Sequence, residues 1–264
     1  MKAAFVRASI AEFLDSSERI QTSDQKSFNG FNGLHGGLAI AALVHQMRTL
    51  VPADRQLVSV GGRFIRPLTW PILVDADVVR NGGTLTMACA TASSESGTCV
   101  EANATFSARA AQPAQVFAPP MPTGIEDRAS AAVVEIPPEF IPISQRMEIR
   151  AATPELPYSG AAKPVLCGWI RLTDEVPATE ERITILIDSL APSYTALMTE
   201  LRAVPTVEMW IQLSADAPAT AFDWVLVLAT TTSADAHGFV RETINMWTEG
   251  GSHLASCTQL RIVR

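Results

Sequence analysis

The sequence predicts an α+β fold in which one unit is used twice. Each unit reads as a buried helix followed by a curved antiparallel sheet. Three observations carry that expectation: a strand pattern recurs at a nearly constant offset, one helix candidate precedes each copy, and a proline-rich stretch lies between them.

The strands show the repeat most plainly. Trp70 to Val79 leads to Gly82-Gly83, and Trp224 to Thr231 leads to Gly238. Trp224 lies 154 residues after Trp70 and Gly238 lies 155 after Gly83. After each glycine come a strand, a polar turn and a second strand. In the first copy these are 84–93, Glu95-Ser96-Gly97 and 99–108; in the second, 239–248, Glu249-Gly250-Gly251 and 253–263. Beta-branched runs closed by glycine turns read as an antiparallel meander.

The first helix is expected from Gly36-Gly37 through Met47. Its apolar residues cover most of the circumference, so it should be buried nearly all round. The second is expected from Ala178-Thr179-Glu180-Glu181 through Ser189, with Thr179 as N-cap and Pro192 as terminator. Acidic residues in a first turn suit the helix dipole. Between the copies, the prolines from Pro113 to Pro157 fix φ and remove backbone donors. That stretch reads as an extended connector outside the core. The expected divisions are 1–111, 112–162 and 163–264.

The chain has 264 residues, 47% hydrophobic and 18% charged, enough to bury a sizeable core. Its net charge of −7 argues against nucleic acid or an anionic membrane as a partner. No apolar run approaches a membrane span, and the first residues lack a secretory apolar stretch, so a cytoplasmic protein is expected. Cys89, Cys99, Cys167 and Cys257 are scattered, as are His35, His45, His237 and His253, so neither disulfide, metal nor cofactor is expected.

Three places make the chain resemble the double-hotdog acyl-CoA thioesterases, the thioesterase II type and its thioesterase-like relatives. They are Leu34-His35-Gly36-Gly37 with the helix after it, Phe64-Ile65-Arg66-Pro67, and the run containing Thr230-Thr231-Thr232-Ser233, Gly238-Phe239-Val240-Arg241 and Leu254 to Gln259. The resemblance covers about Ile10 to Arg264. It implies a tandem hotdog, each sheet around a central helix, that hydrolyses acyl-CoA and self-associates further in some members.

The resemblance also implies a water-holding set: an acidic residue, a Thr or Ser, and a Gln, all from the second unit. Matched residue by residue, these fall on Glu208, Thr231 and Gln259, with Glu where the family usually has Asp. A carboxylate suits a general base, while a hydroxyl and an amide fix a water's direction. Backbone N–H groups at His35, Gly36 and Gly37 would meet the oxyanion and substrate. The residues alone leave alternatives open. Strand alternation can turn Glu208 to solvent, Thr231 can be a structural strand residue, and the glycines can serve close packing. Asn32 and Asp188 are secondary candidates at helix ends. Arg63, Arg66, Arg80, Arg241 and Arg261 are unassigned candidates for CoA phosphates. A non-catalytic acyl-CoA-binding protein is the alternative reading.

Overall fold

The computed structural model describes residues 8–16, 22–108, 115, 117–174, 176 and 179–264. Ten strands form one antiparallel sheet in the order β2-β3-β4-β1-β7-β10-β9-β8-β6-β5. They are β1 (Gln56–Phe64), β2 (Leu73–Asn81), β3 (Leu85–Ser94), β4 (Gly97–Ser107), β5 (Met147–Ala151), β6 (Val165–Leu172), β7 (Thr206–Leu213), β8 (Val225–Ala234), β9 (Phe239–Thr248) and β10 (His253–Ile262). The helices are α1 (Ile10–Asp15), α2 (Thr22–Gln25), α3 (Gly36–Arg48) and α4 (Thr179–Leu186).

The halves join where β1 pairs with β7, with Gly61 opposite Trp210. A Cβ on Gly61 would stand 2.1 Å from the Trp210 ring, so only glycine lets that indole lie flat on the strand. Each half also carries a β-bulge near this seam, between Leu57 and Ser59 on β1 and opposite Leu260/Arg261 on β7. These bulges bring the two halves into register. Leu57 paired with Phe106 corresponds to Thr206 paired with Arg261.

Helix α3 is buried along Leu38, Ile40, Leu43, Val44 and Met47, which pack on the inner face of the sheet and against α4. The two helices run antiparallel: the start of α3 meets the end of α4 and the reverse. Thr179 is the first residue of α4 and not a cap outside it; Ala178, expected before it, lies outside the described residues. The meander strands fall within a few residues of their expected bounds.

The stretch expected as an extended connector does more than connect. It contributes β5 to the sheet edge, and Ala131, Ile143, Ile149 and Ala152 are buried. Apolar residues between its prolines cover the outer face of the second half. Trp169, Trp224 and Trp247 cluster there with Ala131, Met121 and Ile125. The Trp247 and Trp169 indoles donate to the Pro119 and Glu126 carbonyls. Trp70 instead packs on Phe13 and Phe28. Among the described residues no helix is long and apolar enough to cross a membrane.

Candidate active site

The start of α3 is built for close approach. His35 is its N-cap, and its Nδ1 accepts from the Leu38 N–H at 3.3 Å. Nε2 therefore carries the proton and donates to the Asp188 carbonyl at 3.1 Å. Burial holds the His35 pKa below its ordinary value against the opposing pull of Asp188, which keeps the ring neutral.

The next two residues place a carboxylate. The Gly37 N–H donates to Asp188 Oδ2 at 2.7 Å. A Cβ on Gly36 would stand 2.7 Å from that same oxygen, and one on Gly37 would stand 2.8 Å from the Thr184 carbonyl. The paired glycines thus let the end of α4 press against the start of α3. The Gly36 N–H meets no acceptor among the described residues. Among the described residues it is an unpaired donor, at a helix N-terminus beside the carboxylate.

The other Asp188 oxygen faces the second half of the sheet. Gln259 Nε2 donates to Oδ1 at 2.9 Å, and Thr206 Oγ1 donates to Gln259 Oε1 at 2.9 Å. Arg261 Nη1 donates to Thr206 Oγ1 at 2.8 Å, and its Nε donates to Glu242 Oε2 at 2.7 Å. Gln259, Arg261 and Glu242 are all buried on the inner face, while the Asp188 side chain keeps 9% exposure. A carboxylate that accepts two N–H bonds retains lone pairs for a water.

The sequence placed these residues unevenly. Gln259 and the His35-Gly36-Gly37 turn sit in the cluster, but the His35 N–H donates to the Phe28 carbonyl and the Gly37 N–H to Asp188, so neither is open to an oxyanion. Glu208 is not brought to it. On β7, Met209, Ile211 and Leu213 point inward, so alternation turns Glu208 outward. Its side chain is 51% exposed and 3.5 Å from Arg63 Nε. Thr231 lies on β8 and bonds Ser193 Oγ at 2.9 Å, not Gln259. Asn32 is exposed in the turn before α3. The carboxylate here is Asp188, a secondary candidate from the sequence, and the hydroxyl is Thr206, which the sequence reading missed. No local signal marks Thr206, because the β7 bulge after it, and not strand alternation, turns it toward Gln259. Arg261, expected among phosphate binders, is buried in an ion pair.

All four cysteines are free thiols, and burial raises the pKa of Cys167 and Cys257. Among the described residues no three His, Cys, Asp or Glu side chains gather as a metal-binding set.

The chain belongs to the acyl-CoA thioesterase family. Residues 25–107 match the model of the acyl-CoA thioesterase N-terminal domain and residues 118–263 that of the C-terminal domain. Among curated proteins none matches. Solved structures share the hotdog fold. A protein of unknown function with that fold from Alicyclobacillus acidocaldarius superposes with a TM-score of 0.78 at 19% identity, over 90% of each chain. The acyl-CoA thioesterase II TesB2 of Mycobacterium marinum gives 0.66 at 19%, over 88% of this chain and 90% of that one. The tesB protein of Mycobacterium avium subs paratuberculosis gives 0.69 at 20%, over 88% of each.

Proposed function

We propose that this protein is an acyl-CoA thioesterase, a tandem pair of hotdog units with one active site at the junction of α3 and α4. The observation that carries the reading is the Asp188 carboxylate, held by the Gly37 N–H and Gln259 beside the unpaired Gly36 N–H.

In this reading a water sits on a free Asp188 lone pair, directed by the Gln259 amide that Thr206 holds in place. Asp188 takes its proton as the oxygen attacks the thioester carbonyl. The Gly36 N–H meets the carbonyl oxygen as it gains charge; one such donor contributes about 10²–10³ in rate. The tetrahedral intermediate collapses, the carbon–sulfur bond breaks, and Asp188 returns the proton to the CoA sulfur. Free acid and CoA leave. Glu208 and Thr231 have no part in this sequence of steps.

The test is thiol release from acyl-CoAs of short, long and aromatic chains. We expect turnover of at least one, lost in Asp188→Asn. Tight acyl-CoA binding without turnover across the panel would overturn the reading in favour of a binding protein.

A further inference from the structure

We propose that Arg261, anchored by Glu242, is a positioning residue that holds the far end of the hydrogen-bond chain ending on Asp188. The proposal rests on the thioesterase reading and deepens it.

Hydrogen-bond polarity is the reason. A guanidinium has donors and no acceptor. Thr206 Oγ1 therefore accepts from Arg261 Nη1, at 2.8 Å. The hydroxyl's single hydrogen is then committed to Gln259 Oε1, at 2.9 Å. With the amide oxygen turned to Thr206, the Gln259 NH2 faces Asp188 and donates to Oδ1. The opposite amide orientation would set a carbonyl oxygen against a carboxylate. Each member thus has one allowed role: Asp188 can only accept at one end, and Arg261 can only donate at the other.

Arg261 is itself fixed. Its Nε donates to Glu242 Oε2, and Glu242 also accepts from the Ser193 N–H. The Arg261 and Glu242 side chains are 6% and 1% exposed. Arg261 Nη2 lies 3.7 Å from Asp188 Oδ1, adding attraction along the same direction.

The first half of the sheet shows that the fold does not require this pair. In the register set by the two bulges, Phe106 stands where Arg261 stands and Ala88 where Glu242 stands. Leu57 and Ala104 replace Thr206 and Gln259. The ion pair is present where the Thr–Gln chain is present and absent where it is absent.

A double-mutant cycle tests the proposal on an acyl-CoA that the wild type hydrolyses. Arg261→Met should lower kcat about 10- to 100-fold with KM within about 3-fold, since a buried polar chain loses its end donor. In a Thr206→Val background, where the chain is already cut, the same substitution should cost less than about 3-fold. Equal losses in both backgrounds would overturn the proposal. Because Arg261→Met leaves the buried Glu242 without its counter-charge, the cycle is repeated with Glu242→Gln/Arg261→Met, which removes both charges and should give the same non-additivity. A readout independent of turnover is hydrogen exchange of the Gln259 side-chain amide by NMR. We expect slow exchange in the wild type and exchange at least about tenfold faster in Glu242→Gln/Arg261→Met, as an unlocked amide samples water. Unchanged exchange would overturn the proposal, whether or not the wild type hydrolyses acyl-CoA. Absence of turnover by the wild type would bear on the thioesterase reading alone.

Discussion

The two ends of the α3–α4 pair use the same geometry for opposite purposes. At one end the start of α3 meets Asp188, and the sheet behind it presents Thr206, Gln259, Arg261 and Glu242. At the other end the start of α4 meets the end of α3, and the sheet presents Leu57, Ala104, Phe106 and Ala88. Charge there is filled in locally. Glu180 accepts from the Leu57 N–H at 2.6 Å and pairs with Arg48, whose guanidinium lies 4.7 Å over the Phe106 ring. His45 bonds Glu181, which raises its pKa. A helix start and a neighbouring carboxylate therefore do not make a site by themselves. In the proposed reading, the side chains supplied by the sheet decide whether the carboxylate is poised or merely neutralised.

The comparison breaks first where the poised end is rewritten in the language of the other. Thr206→Leu/Gln259→Ala should reduce thiol release by at least about 10³-fold, the scale of removing water positioning and base support together. Circular dichroism should show the fold retained, as it is with those residue types in the first half. Retained activity would place the chemistry elsewhere.

The inert end should answer in stability and not in rate. Phe106→Ala is expected to cost about 3–5 kcal/mol in urea unfolding, the usual range for a fully buried ring. Its kcat at saturating acyl-CoA should stay within about 3-fold, because the proposed reacting groups lie at the other end. A collapse of kcat without loss of stability would erase the distinction between the ends.

A subtler contrast lies in pH. The His35 pKa is lowered in the folded protein, mainly by burial. As pH falls below about 6.5, the unfolded chain takes up this proton before the folded one. The stability held by the neutral ring is present above that value and drains as pH falls toward the folded pKa. His35→Asn keeps a capping side chain but does not titrate, so its urea midpoint should fall less than the wild type's between pH 7 and pH 5. Parallel curves would contradict a buried neutral His35.

Glu208→Gln should do least. An exposed pair with Arg63 contributes about 0–1 kcal/mol. Thiol release should be unchanged within about twofold, since the side chain faces away from Gln259.

This ordering also marks what could be read in the sequence. The meander strands were legible because each is bounded by glycine turns, and α3 because its apolar residues leave no polar face. The His35-Gly36-Gly37 turn was legible for the same local reason. The outward turn of Glu208 was within reach of period-two alternation, since Met209, Ile211 and Leu213 claim the inner face. The identity of the carboxylate was not. Asp188 and Gln259 are 71 residues apart, and their contact depends on how the end of α4 meets the sheet. Thr206 stayed hidden because the β7 bulge shifts its pairing to Arg261, which no local pattern announces. The connector misled through its prolines, which break ladders at single positions while leaving the apolar residues between them free to pack.

The most direct measurement sets the two helix-end carboxylates against each other: kcat for Asp188→Asn and for Glu180→Gln on the same acyl-CoA. Both lie beside a helix start with little exposed side chain, and both variants keep a hydrogen-bonding side chain of equal size. Asp188→Asn is expected to lose at least about 10³-fold, while Glu180→Gln stays within about 3-fold and shows its effect in stability. Comparable losses of kcat from the two, or turnover that survives Asp188→Asn, would contradict Asp188 as the base.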